Sequence, residues 1–101
     1  MMVNRARGEV PLLIEGEPHR LCLTLGALAE IEAGLGLADL NALDARLAHP
    51  KIEDIIVILT ALLRGGGHDV DVASVRARRL DLKTAGKAIA DAFVAGGLGA
   101  A

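Results

Sequence analysis

The chain has 101 residues, of which 52% are hydrophobic, with a formal net charge of −2 and one aromatic residue, Phe93. This length predicts one domain over residues 1–101. The nearly balanced charge provides no field that would attract DNA or an anionic membrane. The lack of aromatic side chains argues against nucleic-acid binding by base stacking.

Three features predict a cytoplasmic protein without membrane association. Cys22 is the only cysteine, so no disulfide can form within these residues, which is typical of a reducing compartment. The longest apolar run, residues 55–63, is too short to cross a bilayer. The basic N-terminus also precedes no apolar segment of signal-peptide length.

Residues 8–25 predict a β-hairpin because apolar and polar residues alternate along two short segments. Gly16 and Pro18 mark the turn between them. Pro11 cannot donate a ladder hydrogen bond, so the first strand lies at a sheet edge or starts beyond this residue. The positions expected to face the core are Val10, Leu12, Ile14, Leu21, Leu23 and Leu25.

Four or five helices are expected to cover this hairpin, and the first two follow it directly. Residues 25–36 place Leu25, Leu28, Ile31 and Leu35 near one face. Residues 37–50 carry a second apolar stripe and end at Pro50. The leucines of this second stripe are Leu37, Leu40, Leu43 and Leu47.

The strongest helical pattern runs from about Pro50 to Arg64, and we expect this helix to be central. Pro50 suits a first helical turn, where its missing N–H costs little. Glu53 and Asp54 lie near the positive end of the helix dipole and Arg64 lies near the negative end. Apolar residues occupy nearly every side of the segment, which indicates burial nearly all round.

Two further helices are predicted in the C-terminal third. Asp71 can cap a short helix that leads into Arg76, Arg78 and Arg79. Asp81 can cap a last helix whose apolar face consists of Leu82, Ala85, Ile89 and Phe93. Residues 1–7 and 97–101 are expected to be flexible. The predicted fold class is therefore α+β, with an N-terminal β-hairpin packed against four or five α-helices and a central helix at about residues 50–64.

The stretch RGGGHDVD, residues 64–71, raises the question of a phosphate or metal site. A phosphate loop of the Walker type requires lysine where His68 stands, and a dinucleotide loop follows the first strand of a β-α-β unit, not a helix. We therefore interpret Gly65, Gly66 and Gly67 as the end of the central helix and as a candidate hinge.

As metal ligands, His68, Asp69 and Asp71 offer one imidazole and two carboxylates, while His19 and His49 are distant in sequence. The chain has no cysteine pair and no H-x-x-x-H spacing. The sequence accordingly predicts no metal and no cofactor.

No arrangement of residues indicates catalysis. Cys22 falls in a predicted strand, and Ser74 lies in no nucleophile-elbow pattern. Glu30 and Glu32 are two positions apart, so they point to different sides of a helix. We predict that the chain is not an enzyme and has no catalytic residues.

The densest basic patch consists of Arg76, Arg78 and Arg79, together with Arg64. The favoured interpretation is a solvated helix face that pairs with acidic residues of the same chain. Contact with an acidic partner or with phosphate is the alternative, since a small DNA-binding regulator could use a helix over residues 76–79.

Four segments in a fixed order suggest a family. They are NRARGEV at the start of the hairpin, LTLGALAEIEAGLG, DIIVILTALLRGGG followed closely by an aspartate, and AIADAFVAGGLG. Together they cover about residues 4–99 and resemble the gene transfer agent family of small phage-tail proteins. That family is classed among the phage tail assembly chaperones and is encoded in prophage-like clusters of alphaproteobacteria.

The resemblance implies a non-enzymatic chaperone that binds phage tail proteins, in particular the tape measure protein, and is usually absent from the finished particle. It implies no cofactor, catalytic residue or small-molecule substrate. Some members of the family are labelled as tail tube or minor tail proteins, so a structural tail component is the alternative.

A chaperone for a helical partner would need an apolar surface. Leu13 lies on the outward side of the predicted hairpin, and Val57 and Ile58 lie on the far side of the predicted central helix. We consider these three residues candidates for contact with a partner or for self-association, in addition to the three arginines at 76, 78 and 79. The alternative for Val57 and Ile58 is that another layer of the same chain covers them.

Overall fold

The computed structural model describes residues 3–98 and shows an α+β fold, as predicted. Two antiparallel strands, β1 (Glu9–Ile14) and β2 (Glu17–Cys22), form a hairpin that a short 3₁₀ helix (Arg5–Arg7) precedes. Five helices follow: α1 (Leu25–Leu35), α2 (Asn41–Ala48), α3 (Ile52–Gly65), α4 (Val72–Arg76) and α5 (Leu82–Ala95). Of the termini expected to be flexible, residues 1–2 and 99–101 lie outside the described residues.

The hairpin turns through two residues, Glu15 and Gly16, which both have positive φ, 52° and 81°. Positive φ at both positions is the signature of the type I′ turn that matches the twist of paired strands. The second strand is shorter than predicted. Leu25 was expected to face the core, but it is 88% exposed and begins α1. Thr24 explains the change, because its side chain accepts a hydrogen bond from the Ala27 N–H at 3.0 Å and so starts the helix.

The register of the hairpin explains its prolines. Pro11 lies opposite Arg20, and Leu13 lies opposite Pro18. The Arg20 N–H points away from β1 and donates to His68 Nε2 at 2.9 Å. These pairs are therefore the non-hydrogen-bonded positions of the ladder, where a proline costs no inter-strand bond.

Helix α3 is the central helix, as predicted, and packs against β2, α1, α4 and α5. Leu59, Leu62 and Leu63 are each at most 2% exposed. The start of the helix differs from the prediction, since Pro50 precedes the N-cap residue Lys51 and does not lie in the first turn. The Asp54 carboxylate accepts the Lys51 N–H at 2.9 Å, and the helix begins at Ile52, two residues later than predicted.

The end of α3 lies directly against the backbone of β2. A Cβ atom at Gly65 would overlap the carbonyl oxygen of Cys22, and one at Gly66 would overlap the carbonyl oxygen of Arg20. Gly67 then adopts a φ of +94°, which disfavours any other residue. The glycines end the helix as predicted, and close packing accounts for two of them. Their role as a hinge stays a prediction.

Candidate functional site

An apolar groove of about 530 Å³ opens between α2, α3 and α5. The α2 side contributes Leu40, Leu43, Asp44 and Leu47; the α3 side contributes Pro50, Ile55 and Ile58; and the α5 side contributes Gly86, Ile89, Ala90, Phe93, Val94 and Leu98. Of the leucine stripe predicted for residues 37–50, Leu40, Leu43 and Leu47 thus line the groove. Within α2, only Leu43 is buried in the core.

The groove exists because α2 packs sparsely and α5 presents small residues beside it. α2 has eight residues, of which only Leu43 is buried. On α5, Gly86 and Ala90 lie one turn apart on the groove side. A Cβ at Gly86 would meet no atom within 4 Å. The chain therefore leaves this space open without needing it for its own packing.

One ion pair holds α2 in place. Arg46 Nη2 lies 2.8 Å from Asp54 Oδ1, and Arg46 Nε donates to Asp54 Oδ2 at 3.2 Å. Arg46 Nη1 also donates to the carbonyl oxygen of Leu35 at 3.0 Å, which ties α2 to α1 as well as to α3. The Arg46 guanidinium, followed by the N–H of Lys51, lowers the pKa of the buried Asp54 carboxyl. Sequence reasoning assigned Asp54 only to the helix dipole and missed this contact.

The groove lining carries a negative charge on its α2 side. Asp44 is the only ionised side chain in its lining, and it has no ion pair or side-chain hydrogen bond within residues 3–98. The last turn of α5, which also lines the groove, contains no basic residue. The backbone N–H groups of residues 96–98 cap the last carbonyl oxygens of this helix.

The three apolar residues proposed as partner contacts lie in different places. Leu13 is 64% exposed on the outward side of the hairpin. Val57 is half-buried and packs against α1, where a Cβ at Gly34 would overlap its side chain. Ile58 is 1% exposed, so this chain covers it, and its remaining surface forms the base of the groove. The structure brings only Ile58 into the groove.

The prediction of an arginine-rich helix over residues 76–79 is wrong, because α4 ends at Arg76. Arg78 and Arg79 lie in the loop that follows, where the Glu15 carboxylate accepts the Arg79 N–H at 3.0 Å and pairs with Arg78 at 3.1 Å. The N–H of Arg79, followed by the charge of Arg78, lowers the pKa of Glu15. Arg76 pairs with Glu53 at 2.6 Å. Arg76 and Arg78 thus pair with acidic side chains of this chain, as the favoured interpretation expected, whereas Arg79 contacts Glu15 only through its backbone N–H.

Of the side chains considered as metal ligands, the structure brings His19 and His68 together, with ring centroids 4.9 Å apart. His68 Nε2 accepts the Arg20 N–H, so its ring carries its proton on Nδ1. Burial, followed by the charges of His19 and Arg20, lowers the pKa of His68. Asp71 caps α4 by accepting the Ser74 N–H at 2.8 Å. Within residues 3–98, no group of three or more His, Cys, Asp or Glu residues is arranged to hold a metal ion.

Fold and groove together define a small α+β protein with an open apolar groove. No helix among the described residues is long and apolar enough to cross a membrane. The chain matches, over residues 7–98, the family described as phage tail tube protein, GTA-gp10, and it belongs to this family. It is therefore a phage tail protein of the gene transfer agent type, which confirms the family that the sequence resembles. Searches of curated proteins and of solved structures return no significant match.

Proposed function

We propose that this chain is a non-enzymatic assembly chaperone that binds the tape measure protein, or another tail protein, in the cytoplasm before the tail is built. The observation that carries the proposal is the open apolar groove between α2, α3 and α5. A free chain that leaves such a recess uncovered has a ready site for an apolar segment of another protein.

The shape of the groove suits a helical partner. Three helices border it, and an amphipathic helix that enters a groove of this kind places side chains at positions i, i+3, i+4 and i+7 against it. A long helical tail protein exposes such a stripe before tail assembly covers it. Transient coverage by a small chaperone would keep that stripe from aggregating.

A structural tail tube component is the second candidate, favoured by the description of the family. A tube wall that extended its β-sheet from subunit to subunit would need free strand edges. On β1, Pro11 provides no N–H to such a partner. On β2, the outward N–H of Arg20 is already bonded to His68. The hairpin edges therefore favour the chaperone. If the chain were a tube subunit, it would have to assemble through side-chain contacts and not through an extended β-sheet.

Quantitative mass spectrometry of purified particles and of the producing-cell lysate separates the two candidates. The chaperone proposal predicts a protein that is abundant in the lysate and depleted in particles, relative to the capsid protein of the same samples. A copy number in particles that matches the other tail subunits would contradict it and support the structural candidate.

A further inference from the structure

We propose that the groove binds an amphipathic α-helix that approaches α5 closely at Gly86 and carries lysine or arginine beside its apolar stripe, next to Asp44. This inference rests on the proposed function and names the chemistry of the partner segment. It follows from two independent features of the groove, the position of its glycine and the sign of its charge.

Gly86 occupies the interior of α5, where glycine is unfavourable relative to alanine. The fold does not require glycine at this position, because its backbone is helical and an added Cβ would meet nothing within 4 Å. Because Gly86 has no side chain and Ala90, one turn later, has only a methyl group, little side-chain volume of α5 projects into this part of the groove. Small residues of this kind allow the backbone of another element to come close. A helix packed here would lie nearer to α5 than one packed against larger side chains.

The charge of the groove selects among amphipathic helices. Asp44 on the α2 side favours a cation beside the apolar surface, and no basic residue of the last turn of α5 opposes it. A partner helix with lysine or arginine along the edge of its stripe would pair with Asp44. A partner with aspartate or glutamate at the same positions would meet like charge.

Two other occupants fit the groove less well. A small-molecule pocket offers several convergent polar groups that fix its ligand, whereas among residues 3–98 only Asp44 contributes a charged side chain to this lining. A second copy of the chain, if it met groove to groove across a twofold axis, would bring the two Asp44 side chains to the same interface. Both considerations leave a basic amphipathic helix as the occupant.

The test uses the full chain and two synthetic peptides of about 18 residues, each roughly 27 Å long as a helix. Both peptides carry the same stripe of leucine and alanine, with lysine along its edges in one and glutamate in the other. Fluorescence anisotropy measures binding to the wild-type protein, to Gly86→Leu and to Asp44→Lys. Gly26→Leu is the matched control for the first variant, since Gly26 is exposed in the first turn of α1, away from the groove. Asp69→Lys, in an exposed loop, is the control for the second.

We expect the lysine peptide to bind about fivefold or more tightly than the glutamate peptide, with a preference that weakens as salt is raised. Gly86→Leu should weaken binding more than about tenfold, because its side chain fills the groove. Asp44→Lys should reverse the preference between the peptides, and the two controls should bind as the wild type does. Circular dichroism verifies that each variant is folded. Equal binding of both peptides, binding of neither, or wild-type affinity in folded Gly86→Leu would overturn the proposal.

Two further measurements keep this inference separate from the proposed function. If light scattering shows a dimer that Gly86→Leu converts to a monomer, the occupant is a second copy and the inference is wrong. In producing cells, tail formation is compared between a deletion of the chain and the Gly86→Leu variant. Tails that are lost on deletion but normal in the variant would leave the chaperone role standing and exclude the groove as its site.

Discussion

The ion pair that holds α2 allows a quantitative prediction for Arg46→Met. The substitution keeps an unbranched side chain that reaches as far as Nε of arginine but removes the guanidinium charge. The Asp54 carboxylate, in a residue only 3% exposed, would then retain the N–H of Lys51 and lose its guanidinium partner. Breaking a fully buried pair costs about 3–5 kcal/mol, whereas an exposed pair is worth less than about 1 kcal/mol. Because the Arg46 side chain is 36% exposed, solvent screens part of the interaction. We expect a loss of about 2–3 kcal/mol in the free energy of unfolding.

The same pair predicts how this loss depends on pH. The pKa of Asp54 in the folded chain lies below its ordinary value of 3.8, so the unfolded chain takes up a proton first as pH falls. The stability that the pair contributes is therefore fully present above the unfolded pKa and is lost as pH falls through the folded pKa. The difference between wild type and Arg46→Met should be largest near neutral pH and should shrink below about pH 4.

Urea denaturation followed by circular dichroism, at neutral and acidic pH, measures both effects. Arg76→Met is the matched control, because its pair with Glu53 is exposed on both sides and should contribute less than about 1 kcal/mol. Combining Arg46→Met with Asp54→Asn should cost less than the sum of the single changes, since the charge left without a partner is then removed as well. The reasoning would be refuted by an Arg46→Met protein within about 0.5 kcal/mol of wild type at neutral pH, or by a loss of equal size at acidic pH.

Four further substitutions test the packing of the chain, each by thermal and urea denaturation. Leu59→Ala should cost about 2–5 kcal/mol as a truncation in the core, and an unchanged melting temperature would show that α3 is not central. Gly65→Ala should destabilise by about 1–3 kcal/mol through contact with the Cys22 carbonyl, whereas Gly86→Ala should stabilise by about 0.5–1 kcal/mol; the opposite order would refute the packing assigned to these glycines. Leu13→Ser should change stability by less than about 0.5 kcal/mol because Leu13 is exposed, and a larger loss would show that it supports the fold.

The elements that depend on neighbouring residues were predictable from the sequence. Alternation of apolar residues around Gly16 predicted the hairpin, and the apolar spacing after Pro50 predicted α3. Asp71 and Asp81 were proposed as caps of the last two helices, and both accept hydrogen bonds from N–H groups three residues later. In each case one or two residues determine the local backbone, so the signal does not depend on distant parts of the chain.

The contacts that join distant segments could not be predicted in the same way. Arg46 and Asp54 lie in different helices with a turn between them, and no periodicity relates their positions. Gly66 is required by the carbonyl of Arg20, which is far away in the sequence. The sequence showed that glycines end α3, but flexibility and close packing both use glycine. Only the position of β2 distinguishes the two explanations.

The groove was predictable only in part, because the sequence of α5 already carried some of the pattern that forms it. The predicted core face of that helix included Leu82, yet Leu82 is 53% exposed at the first helical position, while Ala85, Ile89 and Phe93 are buried. A second row, Gly86, Ala90 and Val94, is offset by one position and follows the same spacing of four.

A stripe of small residues beside a core stripe indicates a surface that another element can approach closely. Whether that element belongs to the same chain depends on where α2 packs, and the Arg46–Asp54 pair holds α2 at the rim of the groove instead of against α5. The Arg46–Asp54 contact, which the sequence could not reveal, thus leaves the second row of α5 open to a partner.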